Sequence, residues 1–430
     1  MKGILGIRRE DKNKWEKRVP LTPANINKLK NNYDIETHIQ PFPERAFKDS
    51  DYKNSGAVLT EDLSACSTII AVKEVPKKLI FPNKKYLFFS HTIKGQSYNM
   101  PLLKDIMSKK CTLVDYECIK NDSGRRLVFF GRFAGISGMI ETLHGIGKRY
   151  SALGIETPFV KIKSAYQYGI LSEAIKHITE VAENIKLNGL RSEIAPLVIG
   201  ITGYGNVSNG AQEIFDILPH EVIEPKDLLT KELDKSKIYK VVFKEADLFE
   251  TVNVTDEFEL LDYFKNPKKY KSKFFKYVNK VDVLINAIYW DTPYPKLLEK
   301  KYLKENSENI KLKITTDISC DIDGSIEFTS KVMEPDLPAY LYNPKDESLT
   351  DGFEGEGILN IVVDNLPTEL PKDASEAFGE KLFPFIENFV KTDISVPFEE
   401  VKFVDEIKNA VIVYNGELTP RFKYLEEFLK

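Results

Sequence analysis

The chain has 430 residues, of which 42% are hydrophobic and 29% charged, and its formal net charge is -4. This length exceeds what one hydrophobic core usually serves and predicts two domains with a cleft, whereas the slightly acidic balance argues against partners such as nucleic acid or anionic lipid. The apolar runs are too short for a membrane span, and four cysteines and five histidines lack zinc-site spacing, so neither a membrane segment nor a metal is expected.

Four short apolar runs, separated by polar and helix-like stretches, occupy the first part of the chain. They lie at 3–7, 67–72, 86–89 and 111–116. This rhythm predicts a parallel α/β sheet. Polar or ionisable residues follow each run at once. Because the carboxyl ends of parallel strands form the ligand-binding edge, we expect these side chains to converge on one rim.

A second α/β series follows a glycine-containing, helix-like segment at 133–150. An amphipathic stretch at 172–188 precedes a strongly apolar strand at 194–202, and later strands are expected at 281–288 and 312–316. The second domain is therefore expected to begin near the first of these segments.

A glycine-rich loop joins the strand at 194–202 to a helix-like segment, which is the setting of a dinucleotide fingerprint. Gly203 would allow the tight turn, and Gly205 would let the backbone approach a pyrophosphate at the helix N-terminus. Ser208 stands where the third glycine is usual. Serine is small enough to keep the close packing, and its hydroxyl could reach a phosphate.

The strand expected at 220–223 ends in Glu224. A carboxylate at the end of this strand normally accepts hydrogen bonds from the adenosine ribose and repels a 2′-phosphate, which favours NADH. Lys226 lies two residues further on and could neutralise the carboxylate or bind the phosphate itself. The residues alone therefore leave NADH and NADPH both open.

Lys73 and His91 are the strand-end residues suited to proton transfer. Lys73 follows the run at 67–72, where partial desolvation lowers the pKa of a lysine, and His91 follows the run at 86–89. Hydride transfer at a carbon that bears nitrogen needs such an acid and base. We therefore predict that these two side chains carry the proton transfers.

Three further charged residues complete the predicted rim. Glu117 follows the run at 111–116 and could pair with Lys73, although a surface carboxylate is equally plausible from spacing alone. Arg18 and Arg126 lie on loops and carry the planar fork that binds carboxylates with two hydrogen bonds. Arginines on loops are usually just solvated, so their roles stay open at this point.

Seven motifs along nearly the whole chain carry a family resemblance. They are GIRRE at 6–10, WEKRVPLTP at 15–23, FFSHTIK at 88–94, GYGNVSNGAQ at 203–212, INAIYW at 285–290, DISCDIDGSIEF at 317–328 and DNLPTELP at 364–371. With them the chain resembles the lysine-ketoglutarate reductase half of the α-aminoadipic semialdehyde synthase family. It is more distantly similar to lysine-forming saccharopine dehydrogenases and alanine dehydrogenases.

The resemblance implies a role for each rim residue. Lys73 and His91 would be the acid-base pair, Glu117 would tune the lysine, and Arg18 and Arg126 would bind substrate carboxylates. The implied cofactor is NADPH, with NADH as the alternative. Its implied binding residues are Gly203, Gly205, Asn206, Val207, Ser208, Glu224, Asn286, Asp317 and Asp321.

The resemblance further implies an α/β fold of two Rossmann-like domains with parallel sheets around a central cleft. Residues 1–132 and 358–430 would form the substrate domain, and 133–357 the dinucleotide-binding domain. The implied reaction joins L-lysine to 2-oxoglutarate by reductive amination and forms saccharopine, the first step of lysine degradation. Two alternatives stay open: an amino-acid dehydrogenase of the alanine dehydrogenase type, and a catalytically silent nucleotide-binding sensor.

The implied partners and compartment are less defined. A glutamate-forming saccharopine dehydrogenase, fused or separate, would act on the product, and a homo-oligomer is an open alternative to a monomer. No presequence is visible, so the cytoplasm is expected, or the mitochondrial matrix if the N-terminus has been trimmed.

Overall fold

The structure is a computed structural model that describes residues 3–253 and 255–430. The chain divides into two compact units. One consists of Met1–Phe130 with Pro371–Lys430, and the other of Gly131–Leu370. Within the described residues, none of the helices combines the length and apolar character that a bilayer crossing requires.

Short strands form most of the framework of both units. In chain order they are β1 (Ile4–Ile7), β2 (Glu36–Ile39), β3 (Val58–Leu59), β4 (Thr68–Ile70), β5 (Lys85–Phe88), β6 (Thr112–Asp115), β7 (Leu197–Thr202), β8 (Glu221–Val222), β9 (Ile238–Phe243), β10 (Phe249–Thr251), β11 (Tyr270–Ser272), β12 (Val283–Asn286), β13 (Ile314–Asp317), β14 (Ala339–Tyr342), β15 (Leu349–Asp351), β16 (Ile358–Ile361), β17 (Val411–Tyr414) and β18 (Glu417–Leu418).

Helices connect these strands, and short 3₁₀ turns extend several loops. The α-helices are α1 (Pro23–Tyr33), α2 (Asp49–Asn54), α3 (Met100–Ser108), α4 (Gly131–Ala152), α5 (Leu171–Asn188), α6 (Asn206–Phe215), α7 (Asp227–Thr230), α8 (Glu245–Leu248), α9 (Leu260–Lys265), α10 (Lys300–Glu305), α11 (Pro371–Lys391) and α12 (Asp405–Lys408). Local signals begin and end them. Thr22 and Asn25 cap the first turn of α1 reciprocally, and α5 ends at Gly189, whose φ is 69°.

The sheet of the first unit has the strand order β18-β17-β6-β5-β4-β1-β2-β3. Strands β1 to β6 run parallel, and β17 and β18 continue one edge antiparallel. The chain runs outwards from β1 to β3 and then returns to β4 on the other side of β1. In open α/β sheets, ligands bind outside the carboxyl ends of the strands at such a reversal.

The sheet of the second unit has the order β15-β14-β16-β13-β12-β7-β9-β8. Six strands are parallel, and β14 and β15 are antiparallel additions at one edge. The order reverses between β7 and β12. β9 lies between β7 and β8, so the strand that follows β7 in the chain is not its neighbour in the sheet.

The predicted α/β class with two largely parallel sheets is confirmed. The division of the chain differs from the expected one at its C-terminal boundary. β16 pairs with β13 and β14 inside the second sheet, so that unit continues past residue 357 to Leu370. The strand-like run after Gly357 completes the second sheet, and the chain returns to the first unit only with α11.

Candidate active site

A buried carboxylate from the neighbouring strand end holds the backbone of Lys73. Glu10, just after β1, accepts hydrogen bonds from the backbone N–H groups of Val72 and Lys73 at 2.6 and 3.0 Å. Burial, followed by the charge of Glu16, raises the pKa of the Glu10 carboxyl to about 7. β1 and β4 are neighbours at the reversal of strand order. The two hydrogen bonds to Glu10 therefore hold the backbone in place where the chain leaves β4.

The Lys73 side chain lies among charges of both signs. Burial is the largest cause that lowers the pKa of its amine below the ordinary value. The Arg18 charge acts in the same direction, whereas Glu16 and Glu74 raise the pKa. A lysine in such surroundings becomes neutral at a lower pH than a solvated one. It is therefore suited to accept and return a proton.

Arg18 is enclosed by a carboxylate and an aromatic ring. Its Nε and Nη2 donate to the two oxygens of Glu16 at 2.8 and 2.5 Å, and its guanidinium lies 4.2 Å from the centroid of the Phe130 ring. Burial opposes ionisation of Glu16, but Arg18 and Lys73 hold the pKa of that carboxyl below its ordinary value. Only 2% of the Arg18 side chain is exposed, so it organises the surroundings of Lys73.

His91 has a backbone conformation that histidine rarely adopts. Its φ is 53°, in the left-handed region, which a non-glycine residue keeps only when its surroundings hold it there. Asn99 Nδ2 donates to the His91 carbonyl at 2.8 Å, and the imidazole stacks on Phe89 with 6.1 Å between centroids and 13° between planes.

The charge of Glu74 acts on both predicted acid-base groups, while its Oε2 pairs with Lys12 Nζ at 3.3 Å. Its Oε1 lies 3.8 Å from His91 Nε2, and its charge acts on Lys73 as well. Burial lowers the pKa of His91 and Lys73 lowers it further, whereas Glu74 raises it. Protonation of either base therefore changes the pKa of the other.

A second buried carboxylate, Asp115 at the end of β6, orders two further strand ends. Its Oδ2 accepts from the backbone N–H and the Oγ of Ser90 at 2.8 and 2.6 Å, and its Oδ1 accepts from the backbone N–H of Glu117 at 2.7 Å. Burial raises the pKa of Asp115. This one carboxylate thus fixes the chain just before His91 and around Glu117.

Glu117 forms an ion pair with Arg126, whereas the resemblance implied that it tunes Lys73. The carboxylates whose charges act most strongly on Lys73 are Glu16 and Glu74, and the charge of Glu117 acts on His91. Of the two arginines expected to bind substrate, Arg126 is the accessible one, because 41% of its side chain is exposed.

Sequence reasoning gave no role to Glu10, Glu16, Glu74 and Asp115, although it noted Glu74 beside Lys73. All four lie in or beside segments that it had singled out. Glu10 and Glu16 are inside two of the family motifs, Glu74 follows Lys73, and Asp115 belongs to an expected strand. Acidic residues next to a predicted base were the available signal. The partners of Glu10, Glu74 and Asp115 depend on the order of strands in the sheet, which sequence position does not give, whereas Glu16 pairs with Arg18 two residues away.

In the second unit, the glycine loop has the geometry that a dinucleotide requires. Gly203 has φ 77°, and a Cβ there would lie 3.1 Å from Cγ2 of Ile288, so the turn needs glycine. A Cβ on Gly205 would meet no described atom within 4 Å, which leaves its backbone open to a ligand. Asn206 and Val207 begin α6, where unsatisfied N–H groups and the helix dipole favour a phosphate.

Ser208 uses its hydroxyl within the loop. The buried Oγ donates to the carbonyl of Gly203 at 2.7 Å, and Gln212 Nε2 donates to Ser208 Oγ at 3.1 Å. The sequence had suggested that this hydroxyl could reach a phosphate. The structure instead assigns it to holding the turn closed.

Two other glycines make the close packing that the third fingerprint glycine usually allows. A Cβ on Gly210 would lie 2.1 Å from the carbonyl oxygen of Arg132, and a Cβ on Gly135 would lie 1.8 Å from that of Val207. Helices α4 and α6 therefore touch backbone to backbone. The glycines within the predicted helix at 133–150 were the sequence signal for this contact.

Asn286 and Asp317 lie at the ends of the neighbouring strands β12 and β13 and are buried. Asn286 Nδ2 donates to Asp317 Oδ1 at 2.9 Å, and the hydroxyls of Ser319 and Thr329 donate to the same carboxylate at 2.8 and 2.7 Å. Burial raises the pKa of Asp317. Both residues brace the loops after the strands, while Asp321 lies half-buried on the loop after β13.

Glu224 lies one strand further from the glycine loop than expected. β8 pairs with β9, and β9 pairs with β7. The backbone N–H of Gly203 donates to the carbonyl of Phe243, the last residue of β9, at 2.8 Å. The residues that follow the neighbouring strand are thus Lys244 and Glu245. Among the described residues, no three or more His, Cys, Asp or Glu side chains lie together in a group that could hold a metal ion.

A glycine loop of this geometry at the carboxyl edge of a parallel sheet is characteristic of dinucleotide-binding α/β proteins. Two family models match the chain. "Alanine dehydrogenase/PNT, N-terminal domain" matches residues 6–137, and "Alanine dehydrogenase/PNT, C-terminal domain" matches residues 236–421. Together they cover more than half of the chain, which belongs to the alanine dehydrogenase/PNT family.

Curated relatives confirm the resemblance drawn from the motifs. The chain is 37% identical to an α-aminoadipic semialdehyde synthase of Arabidopsis thaliana, over 100% of this chain and 42% of that protein. It is 36% identical to the mitochondrial enzyme of that name from Mus musculus, over 99% of this chain and 48% of that protein. The chain thus spans less than half the length of these two relatives.

A relative of similar length is a saccharopine dehydrogenase (NAD(+), L-lysine-forming) of Yarrowia lipolytica, 26% identical over 93% of this chain and 95% of that protein. Solved structures share the fold. An L-alanine dehydrogenase has a TM-score of 0.64 at 15% identity, covering 99% of this chain and 100% of that one. A transhydrogenase from Sinorhizobium meliloti has a TM-score of 0.57 at 12% identity, covering 96% and 98%.

Proposed function

We propose that this chain is a nicotinamide-nucleotide-dependent reductase that joins L-lysine to 2-oxoglutarate and forms saccharopine. The observation that carries the proposal is that Lys73 and His91 follow the neighbouring parallel strands β4 and β5, with Glu74 Oε1 3.8 Å from His91 Nε2 and its charge acting on both side chains. Similarity along the whole chain to enzymes named for α-aminoadipic semialdehyde synthesis and saccharopine dehydrogenation supports it.

Lys73 and His91 would share the proton transfers. The ε-ammonium of the substrate lysine must lose a proton before its nitrogen can attack the carbonyl carbon of 2-oxoglutarate, and a lysine with a lowered pKa can accept that proton. A protonated His91 would then donate to the hydroxyl of the carbinolamine, which leaves as water and yields the protonated imine. The nucleotide, when bound, supplies the hydride that reduces this protonated imine to the secondary amine.

Arg126 would bind a substrate carboxylate. Its guanidinium is partly exposed and pairs with the Glu117 carboxylate. This supports a role in binding a carboxylate. Arg18 would act differently, because Glu16 and the Phe130 ring enclose it. It would keep Glu16 ionised and lower the pKa of Lys73 without touching substrate.

The backbone of Gly203, Gly205, Asn206 and Val207 would hold the pyrophosphate of the nucleotide, supported by the open space at Gly205. The family resemblance implies NADPH, with NADH as the alternative. The cytoplasm stays our expected compartment, with the mitochondrial matrix as the alternative that the name of the Mus musculus relative raises. A glutamate-forming saccharopine dehydrogenase, fused or separate, would use the product.

A second candidate is an amino-acid dehydrogenase that accepts ammonia. The fold shared with an L-alanine dehydrogenase is consistent with it, but a fold by itself does not define a substrate. A catalytically silent sensor is the third candidate. It would have no need for a lysine and a histidine at neighbouring strand ends.

The test follows NADH and NADPH oxidation by absorbance in the presence of L-lysine and 2-oxoglutarate. Each substrate is omitted in turn, and ammonia with pyruvate replaces the pair in a parallel assay. Oxidation that needs both substrates, with saccharopine as the product, is the expected result. Oxidation with ammonia and pyruvate alone would establish the dehydrogenase instead, and no oxidation with either nucleotide would leave the sensor.

A further inference from the structure

The order of strands places Glu224 away from the glycine loop, so another residue follows the strand beside that loop. β9 pairs with β7 along its whole length and ends at Phe243, whose carbonyl accepts the Gly203 N–H. β8 pairs with the other side of β9. Adjacent strands lie about 4.8 Å apart, so the end of β9 is about 5 Å from β7 and the end of β8 about 10 Å.

Glu245 is the acidic residue at the end of the neighbouring strand. It begins α8 directly after Lys244 and is half-buried. Tyr204 is the residue between Gly203 and Gly205, and burial, followed by the charge of Glu245, raises the pKa of its hydroxyl. The Glu245 carboxylate therefore lies close to the glycine loop itself.

Lys244 and Glu224 are less well placed to act on a bound nucleotide. Lys244 is exposed, so water and salt screen its ammonium. Glu224 is exposed too, and its backbone N–H donates to Asp227 Oδ2 at 3.4 Å in the turn that starts α7. Of the charged residues in these two turns, Glu245 is the half-buried one whose charge acts on the loop residue Tyr204.

A carboxylate at the end of the strand beside the glycine loop accepts hydrogen bonds from the ribose hydroxyls and repels a 2′-phosphate. We propose that Glu245, and not Glu224, selects the nucleotide, and that it makes this chain prefer NADH to NADPH. The inference rests on the proposed nucleotide dependence and departs from the NADPH that the family resemblance implies.

Equilibrium binding tests the inference independently of catalysis. The full chain is titrated with NADH, NADPH, ADP-ribose and 2′-phospho-ADP-ribose, and binding is followed by fluorescence or calorimetry. We expect NADH to bind about 10- to 100-fold more tightly than NADPH, since a 2′-phosphate would face a fixed carboxylate a few ångströms away. The two ADP-ribose compounds should show the same ratio.

Variants assign the preference to one residue. Glu245→Gln keeps the shape and an acceptor for Tyr204 but removes the charge, so NADPH should bind about tenfold more tightly and NADH more weakly. Glu224→Gln and Lys244→Gln are the matched controls and should leave the ratio of NADH to NADPH affinity unchanged. Tyr204→Phe removes the hydroxyl close to Glu245 and should bring the affinities for NADH and NADPH nearer to each other without loss of fold, because Tyr204 is 49% exposed. Thermal unfolding verifies that each variant is folded.

Three results would overturn the inference: a native chain that prefers NADPH, an unchanged ratio in folded Glu245→Gln, or a ratio changed by Glu224→Gln instead. The proposed function fails separately. A chain that prefers NADH but does not condense lysine with 2-oxoglutarate would support the role of Glu245 and contradict the proposed reaction. An active reductase that prefers NADPH would support the reaction and contradict the role of Glu245. A chain that binds neither nucleotide removes both.

Discussion

Glu10 and Lys73 are joined across two strands. The Glu10 carboxylate, which follows β1, accepts the backbone N–H of Lys73, which follows β4, at 3.0 Å, and its other oxygen accepts the N–H of Val72 at 2.6 Å. The predicted base therefore does not depend on a mobile loop for its position. A buried side chain from the adjacent strand determines where its backbone lies.

Replacing Glu10 with Gln should show whether this contact positions Lys73. Glutamine keeps the shape but has one acceptor oxygen, so one of the two N–H groups loses its partner. We expect kcat to fall about tenfold and the free energy of unfolding to fall by about 1–3 kcal/mol, the usual cost of an unsatisfied buried donor. Steady-state kinetics and urea unfolding measure the two effects. Glu61→Gln, at an exposed glutamate paired with Arg9, is the control, and equal kcat values in both variants would exclude a positioning role.

Glu74 should control the pH dependence of turnover. Its charge raises the pKa of both Lys73 and His91, so Glu74→Gln should lower both and move the acidic limb of the kcat/KM profile to lower pH. Lys73→Met should instead lower kcat by roughly a hundred- to ten-thousand-fold at all pH values. Profiles from about pH 5 to pH 10 separate these results. A limb that does not move in Glu74→Gln would mean that neither Lys73 nor His91 sets that limb in the free enzyme.

Arg126 should contribute mainly to substrate binding. Arg126→Gln removes the accessible guanidinium. We expect the KM for 2-oxoglutarate, the dicarboxylate substrate, to rise about 10- to 100-fold with a smaller change in kcat. The neighbouring Arg125 is exposed, so Arg125→Gln is the matched control and should leave KM unchanged. If both variants raise KM equally, the effect comes from general positive charge. A drop in kcat alone would place Arg126 in the chemical step.

Gly205 and Gly210 should fail in different ways when changed to Ala. A Cβ on Gly210 would lie 2.1 Å from the Arg132 carbonyl oxygen, so Gly210→Ala should destabilise the fold by about 3 kcal/mol or more. A Cβ on Gly205 would meet no described atom, so Gly205→Ala should keep its stability and weaken nucleotide binding. Thermal unfolding and nucleotide titration of both variants test the contrast. Equal stability would contradict the backbone contact between α4 and α6.

Glu141 should make stability depend on pH. Burial raises its pKa from 4.5 to about 7 in the folded chain, although Ser164 and Ala165 donate hydrogen bonds to it, and burial and then Glu141 raise the pKa of Glu369 as well. The folded state thus holds the proton that the unfolded state releases. The stabilisation is complete below pH 4.5 and is lost as the pH rises through about 7.

The corresponding measurement is urea unfolding of the native chain and Glu141→Gln at several pH values. The free energy of unfolding of the variant, relative to the native chain, should increase by up to about 3 kcal/mol between roughly pH 5 and pH 8. Glu156→Gln, at an exposed glutamate, should show no such trend. A difference that stays constant with pH would mean that Glu141 does not change its ionisation on folding.

The sequence by itself determined the elements and the chemical types at their ends. Buried parallel strands are local apolar runs, so β1, β4, β5 and β6 were recognisable, and with them the residues that follow, including Lys73 and His91. The glycine loop was equally recognisable in the sequence, because a tight turn with a positive φ at position 203 requires glycine there.

Only the tertiary structure decided which of these residues meet. The Glu10 carboxylate reaches the backbone of Lys73 because β1 and β4 are neighbours, and Glu117 pairs with Arg126. Glu245, and not Glu224, follows the strand beside β7 because β9 lies between β7 and β8. The physical reason is the same each time. A strand's apolar pattern reports that it is buried but not which strand lies beside it, and pairing between distant segments depends on packing over the whole sheet.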